Sequence, residues 1–367
     1  MIHFIALGGF LGAGKTTTMI AAAKRLQGQG HRVALVTNDQ GTELVDTQLV
    51  RSELDHVGEV TGGCFCCRFE DLMTVVDRLL SSGTVDTVMA EAVGSCTDLQ
   101  ATVIRPLRSL YADRFTVAPL TVLLDPLRYR AVGGSLPLME RTEDMVYLYG
   151  HQLAEADIIA VNKIDLLAED ERERLLEDLS ASYPQATIIA YSARQGEGLA
   201  KLTAAWDDAP APSPFVDIDY DRYAAAEAEL AWFNRSYSLA APAGFSADQW
   251  ALAVLKYLSS AAAERGWTIG HAKVAVDGSS ELTKLSLTAA GAEPTADLSA
   301  RAPVTTATAN LNARIACDPA EMDGLAEAAV EAADAAAGCT SRSDPQEQIS
   351  FKPGYPRPVH RITQAVA

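Results

Sequence analysis

Apolar positions in the first two hundred residues fall into short, nearly unbroken runs: Ile2–Leu7, Arg32–Thr37, Thr84–Ala90, Val117–Leu124, Asp157–Val161 and Thr187–Ala190. Between several of them lie stretches in which apolar and charged residues alternate at helical spacing, such as "TTTMIAAAKRLQGQG", "FEDLMTVVDRLLSSG" and "AEDERERLLEDLSASYP". Strands apolar on both faces, alternating with amphipathic helices, predict a parallel sheet covered on both sides and joined by right-handed crossovers. The expected fold class is α/β, a doubly wound, mainly parallel sheet of the P-loop type.

The pattern changes at "DDAPAPSPF", residues 207–215, where proline alternates with small and acidic residues and can continue neither a helix nor a central strand. The reading is a first domain over 1–208, a Pro-rich linker over 209–216 and a smaller α+β domain over 217–367. In that second part the pattern predicts a strand at Leu230–Leu239, a helix at Ala247–Arg265, strands at His271–Val276, Leu282–Thr288 and Thr305–Ala316, and an alanine-rich helix from Pro319 to Ala337. This order suits an antiparallel sheet with helices on one face. The tail "FKPGYPRPVHRI", with three prolines, reads as an irregular strap.

Composition narrows the functional classes. The 367 residues carry a formal charge of −18, so most of the surface repels a phosphate backbone and a nucleic-acid partner is not expected. Divalent cations are not repelled. No apolar run reaches the roughly 18 residues of a membrane span, and the start has neither a basic region nor a small-residue cleavage site, so no membrane partner is expected and the setting is read as cytoplasmic. Six cysteines are too few and too uneven for a disulfide framework in a chain of this length.

"GGFLGAGKTT" contains G-x-x-x-x-G-K-T at Gly9–Thr16, between a predicted strand and a predicted helix. In that context glycine lets backbone N–H groups turn in around a β-phosphate. Gly12, Ala13, Gly14, Lys15, Thr16 and Thr17 are the expected phosphate-binding residues, with Lys15 on the β/γ oxygens and the Thr16 hydroxyl on Mg²⁺. Glu91 ends the run "VDTVMAE" where an open α/β sheet binds ligands, so it is assigned to the Mg²⁺ side, directly or through water, and the Gly94 backbone to sensing the γ-phosphate. Lys15, Thr16 and Glu91 are thus the candidate catalytic group. "VNKID" supplies Asn162 to brace the loop, Lys163 to lie along the base and Asp165 to accept two hydrogen bonds from guanine, which adenine does not offer. Ser192 and the Ala193 backbone are placed on the guanine O6. The expected nucleotides are GTP and GDP rather than ATP.

"TGGCFCC" puts Cys64, Cys66 and Cys67 into four positions after two glycines. A disulfide between the neighbours would be strained, and the spacing suits Zn²⁺ or a similar thiophilic ion, Co²⁺ or Ni²⁺ among them. Three protein ligands leave a tetrahedral ion one short, as a carrier requires. A redox-active pair and buried apolar cysteines are the competing readings.

With "GGFLGAGKTT", "GGCFCC", "EAVG" and "VNKID" in this order, the chain resembles the CobW-type metallochaperone GTPases, known also as cobalamin-synthesis-type proteins, in the broader class that holds the urease and hydrogenase nickel-insertion GTPases. The resemblance covers about residues 2–206. It implies slow Mg²⁺-dependent GTP hydrolysis coupled to delivery of a transition metal, zinc or cobalt first, to a client protein or cofactor pathway, with nucleotide-dependent homodimers among the states to expect. The alternative is a nucleotide-gated activator, for instance of a corrinoid-dependent enzyme, with a purely structural zinc. The chain departs from the family pattern in three places. "NDQG" puts Asp39 where the family has Glu, "EAVGSCTDL" replaces an Ala-Asp-Pro ending and sets Cys96 near the sensing turn, and the His-rich segment is missing. His56 and His151 read as surface or packing residues.

Overall fold

The computed structural model describes residues 1–38, 45–81, 83–133, 143–208, 215–278, 281–343 and 350–364. Asp39, and residues 209–214 of the predicted linker, lie outside this set.

The first unit runs β1 (Ile2–Gly9), α1 (Lys15–Gly28), β2 (Val33–Asn38), α2 (Val45–Glu53), β3 (Val57–Val60), α3 (Phe69–Leu80), β4 (Thr87–Glu91), α4 (Arg105–Leu110), β5 (Phe115–Val117), β6 (Thr121–Leu124), α5 (Pro126–Gly133), α6 (Glu143–Ala154), β7 (Ile158–Val161), α7 (Glu169–Ser182), β8 (Thr187–Ala190) and α8 (Leu199–Ala205). Its strands pair in the order β3-β2-β4-β1-β6-β7-β8, with β5 also on β1. All these pairings are parallel. Central strands are buried on both faces, β2 and β4 along their whole length, as unbroken apolar runs require. Two separate cores result: Phe4, Val36, Val88 and Leu124 pack with α3, while Ile5, Leu35, Met89 and Leu123 pack with α1.

The single run expected at Val117–Leu124 is two strands. Pro119 stands between them without an N–H, and β5 and β6 each pair with a different part of β1. Among the elements that escaped the pattern are β3, four residues of which only Val60 is buried, and α9 (Tyr220–Ala228), an alanine-rich helix capped by the Asp219 carboxylate.

After α9 come β9 (Ala231–Phe245), α10 (Ala247–Arg265), β10 (Ile269–Asp277), β11 (Leu282–Leu287), β12 (Thr295–Leu298), β13 (Val304–Ile315), α11 (Pro319–Ala337), β14 (Thr340–Arg342) and β15 (Ser350–Phe351). The strands form a separate antiparallel sheet, β12-β11-β10-β13-β9-β14, with β15 also on β9. α10 and α11 bury their apolar sides with Phe233, Val274, Leu285 and Leu311. Period-two alternation sends Asn234, Lys273, Asn312 and Arg314 to the opposite face. That polar face is also buried, because it lies on the first unit. Asn312 Oδ1 accepts from Val45 N at 2.9 Å, and Arg128 donates to the carbonyls of Gly270 and Thr288 at 2.9 and 2.7 Å.

Residues 352–364 are irregular, as the prolines predict, and run back across the first unit. Val359 N donates to Cys66 O at 2.9 Å, Ile362 N to Ala101 O at 2.8 Å, and Arg361 Nε to Asp98 Oδ2 at 2.8 Å.

Candidate nucleotide and metal site

The loop between β1 and α1 is held open by backbone that other residues rarely adopt: φ is 124° at Gly9, 81° at Gly12 and 89° at Gly14. A Cβ on Gly9 would sit 2.4 Å from Leu123 O, and one on Gly14 2.4 Å from Asn162 Nδ2. α1 begins at Lys15, so its first-turn N–H groups and positive dipole end point into the loop. Lys15 Nζ bends over the loop and donates to the carbonyls of Gly9 and Phe10 at 2.7 and 3.2 Å. Thr16 Oγ1 donates to both oxygens of Glu91, at 3.2 and 3.0 Å.

Glu91 is 4% exposed at the end of β4. Burial, with the nearby Asp46 charge second, pushes its carboxyl up to about 7, against the pull of Lys15.

Asn162, 3% exposed after β7, is the tie between phosphate loop and base-side loops. Its Nδ2 donates to Ala13 O at 2.9 Å, while its Oδ1 accepts from Lys163 N at 2.8 Å and Ala193 N at 3.0 Å. Ala13 therefore serves the brace through its carbonyl, and the Ala193 N–H is turned to Asn162 rather than into the cleft. Lys163 takes a left-handed φ of 59° and reaches Gly12 O at 2.8 Å and Asp125 Oδ2 at 2.6 Å. Ser192 is buried, and its Oγ accepts from Gln195 N. Asp165 and Ser192 line the same cleft as Gly12, Gly14, Lys15, Thr16, Thr17, Glu91, Gly94, Asn162 and Lys163, a space of about 520 Å³.

One wall of that cleft was not anticipated. Its roof is the second sheet, through Trp232, His271, Lys273, Lys284 and Arg314. Lys273 Nζ reaches Asp46 Oδ2 at 2.5 Å, and Lys284, 3% exposed, sits 3.6 Å from Asp46 and 3.4 Å from Asp297. Burial opposes charge on Asp46, but the two ammonium groups outweigh it and hold the carboxyl well below its usual range. Burial, with Lys273 next, pushes His271 well down, so it is neutral. A lysine in an antiparallel strand signals nothing by itself; only the 227-residue contact to Asp46 gives it meaning.

The three thiols lie between the cleft and the tail. Asn38, at the end of β2 and on the cleft wall, donates to Val60 O and Gly63 O at 3.0 and 2.8 Å and accepts from Phe65 N at 3.0 Å. This fixes the turn that gathers the sulfurs. Cys64, Cys66 and Cys67 Sγ lie within 4.8 Å of one another, with 2.7 Å between Cys64 and Cys66 and 3.8 Å between Cys66 and Cys67. Cys96 Sγ lies 3.8 Å from Cys66 Sγ. Hydrogen bonds from Cys64 and Cys66 pull the Cys96 thiol down to about 6, while Cys64 first, then Cys67 and Cys96, push Cys66 well up. The tail closes the outside: Arg357 N donates to Cys67 Sγ at 3.1 Å.

Gly94 packs so closely on the phosphate loop that a Cβ would stand 2.5 Å from Leu11 Cδ2 and 3.0 Å from Leu11 N. Gln152 Nε2 donates to both Gly94 O and Cys96 O, at 3.0 and 2.9 Å. His151 packs on Tyr147 and bonds Asp217 O, and His56 is exposed, as expected for residues outside any ligand set.

A parallel sheet ending in a glycine-shaped anion loop, with Thr16 and Glu91 beside it and Asn162 bracing it, defines a P-loop nucleotide-binding domain. The chain belongs to the CobW/HypB/UreG family, whose nucleotide-binding domain matches residues 3–190. It is 26% identical over 216 residues to the zinc chaperone CobW of Pseudomonas aeruginosa, covering 51% of this chain and 55% of that protein. To the zinc chaperone YjiA of Escherichia coli it is 34% identical over 95 residues, 24% of this chain and 29% of that one. The chain thus spans about half the length, or less, of these relatives. Among solved structures, HypB from Helicobacter pylori in complex with nickel gives a TM-score of 0.41 at 18% identity, covering 55% of this chain and 84% of that chain. Zn(II)-bound YjiA GTPase from Escherichia coli gives 0.37 at 15% identity, covering 91% of this chain and 98% of that chain. Among the described residues no helix is long and apolar enough to cross a membrane.

Proposed function

We propose that this protein is an Mg²⁺-dependent GTPase that binds a thiophilic divalent ion, zinc or cobalt first, at Cys64, Cys66 and Cys67 and passes it to a client protein. The observation that carries the reading is the position of the sulfurs between two groups on the cleft wall, Asn38 and the turn from Gly94 to Cys96. A γ-phosphate that moves either group moves the thiols with it.

The donor set suits Mg²⁺: a hydroxyl, Thr16, and a buried carboxyl, Glu91, both of whose oxygens it meets at the end of the phosphate loop. Mg²⁺ held by Thr16 and Glu91 would supply positive charge against the negative charge that builds up as water attacks the γ-phosphorus and the bond to the β-phosphate oxygen breaks. Lys15 exchanges its two carbonyl partners for phosphate oxygens. The N–H groups of Gly12 to Thr17 hold the phosphates at the helix end, and Asp165 accepts from guanine. No described residue is assigned to position the water, so turnover is slow.

The zinc-chaperone relatives support zinc as cargo. The test is GTP hydrolysis and bound-metal content with Zn²⁺, Co²⁺ and Ni²⁺ in the wild type and in Cys66→Ser. Coupling predicts that metal alters the wild-type rate and leaves the variant unaffected; identical rates with identical metal content refute it.

A further inference from the structure

Cys96 occupies a place that the three-thiol motif leaves open. Its sulfur is fully buried and comes from the far side of the cluster, on the β4 turn rather than on the loop after β3. Zinc–sulfur bonds of about 2.3 Å in a tetrahedron set neighbouring sulfurs roughly 3.8 Å apart. Cys66 stands at 3.8 Å from both Cys67 and Cys96, so two edges of such a tetrahedron already exist, and they share a corner. To complete it, Cys64, at 2.7 Å from Cys66, has to open by about 1 Å, and Cys96, which stands more than 4.8 Å from at least one of Cys64 and Cys67, has to close in.

The surroundings answer the charge that such a site carries. Four thiolates around one divalent ion leave two negative charges in a buried place, and sulfurs in that state need donors. Arg357 N–H already points at Cys67 Sγ. The Tyr223 hydroxyl, buried and with no hydrogen-bond partner among the described residues, is close enough to Cys96 to pull its thiol down. Tyr223 belongs to α9, outside the family-matched segment.

We infer that Cys96 Sγ is the fourth ligand of the ion held by Cys64, Cys66 and Cys67, so that the cargo site is a four-sulfur site spanning two loops. On loading, four sulfur–metal bonds form and the thiol protons leave to solvent. Cys96 stands two residues beyond Gly94, which touches the phosphate loop. Movement of that turn therefore changes the ligand count from four to three, converting a closed site into one that exchanges its ion. This rests on the function proposed above and adds the fourth ligand to it.

The experiment uses Co²⁺ added to the full chain, in the wild type, Cys96→Ser and Cys66→Ser, read by the sulfur-to-cobalt charge-transfer band and by competition with a chelator. In Cys96→Ser the band should lose about a quarter of its intensity, one sulfur in four, and affinity should fall by about tenfold or more. X-ray absorption of the wild-type zinc protein should count four sulfurs, a readout independent of whether any variant folds. Three sulfurs in the wild type, or a Cys96→Ser band equal to wild type while Cys66→Ser loses intensity, overturns the fourth ligand and leaves the carrier reading standing. A wild type that binds neither ion overturns both.

Discussion

Replacing Asn162 with alanine tests the brace between phosphate loop and base loops. The substitution leaves three groups without this partner, the buried Ala13 C=O and Ala193 N–H and the half-buried Lys163 N–H. At about 1 kcal/mol net for each bond, with more for a group that stays desolvated, the loss is about 3 kcal/mol. That corresponds to roughly a hundredfold in an equilibrium constant if it falls on nucleotide binding. Titration of a fluorescent GDP analogue, paired with a thermal melt of the nucleotide-free protein, separates loss of affinity from loss of stability. Asn162→Asp sharpens the test: its carboxylate can still accept from the two N–H groups, but it faces Ala13 O with no hydrogen to donate. It should therefore disturb the phosphate loop more selectively than alanine does. Affinity within about threefold of wild type for both variants, with unchanged melting, would refute the brace.

Three further outcomes follow from the same geometry. Gly14→Ala forces a side chain into a left-handed turn and onto Asn162, so nucleotide binding should fall at least tenfold while the cooperative melt persists, as measured by calorimetric titration. Asp46→Asn removes the carboxylate that pairs with Lys273 and with the buried Lys284; it should cost about 3 kcal/mol and speed amide exchange in β10 and β11, and unchanged exchange would show that the pairing does not hold α2 to the second sheet. Glu155 is buried, and desolvation raises its carboxyl from 4.5 to about 8. The folded state therefore keeps a proton that the unfolded chain loses, and stability falls as pH rises between those values by up to about 1.4 kcal/mol per unit. In Glu155→Gln the amide oxygen can accept from Gln100 N and its NH₂ can donate to the Thr97 hydroxyl, so the variant should be increasingly more stable than wild type from pH 5 to pH 8 in urea titrations; parallel pH profiles would refute this.

What was legible in the sequence is what local chemistry dictates. Glycine spacing around Lys15 reveals the anion loop because only a left-handed backbone makes it, and "VNKID" reveals its base side because the residues act over five positions. Runs such as Arg32–Thr37 and Thr84–Ala90 reveal central strands, β2 and β4, because both faces are buried. The roof of the cleft was hidden for the opposite reason. Lys273, Lys284 and Arg314 occupy one side of ordinary antiparallel strands, and the pattern shows alternation without showing what covers the polar side. Cys96 was visible as a departure from the family pattern, but its approach to Cys66 depends on how the β4 turn folds over the loop after β3. The Pro119 break was present in the sequence and was overridden by the apolar run around it.

The strap across the cysteine loop has a consequence for the order in which the chain is made. Arg357, which caps Cys67, follows it by 290 residues. At roughly 5–20 residues per second, a ribosome leaves these sulfurs without their cover for about 15–60 s after they have been polymerised. During synthesis, then, the nascent chain passes through a period in which its thiols are open to metal or oxidant before the strap at residues 352–364 shuts over them.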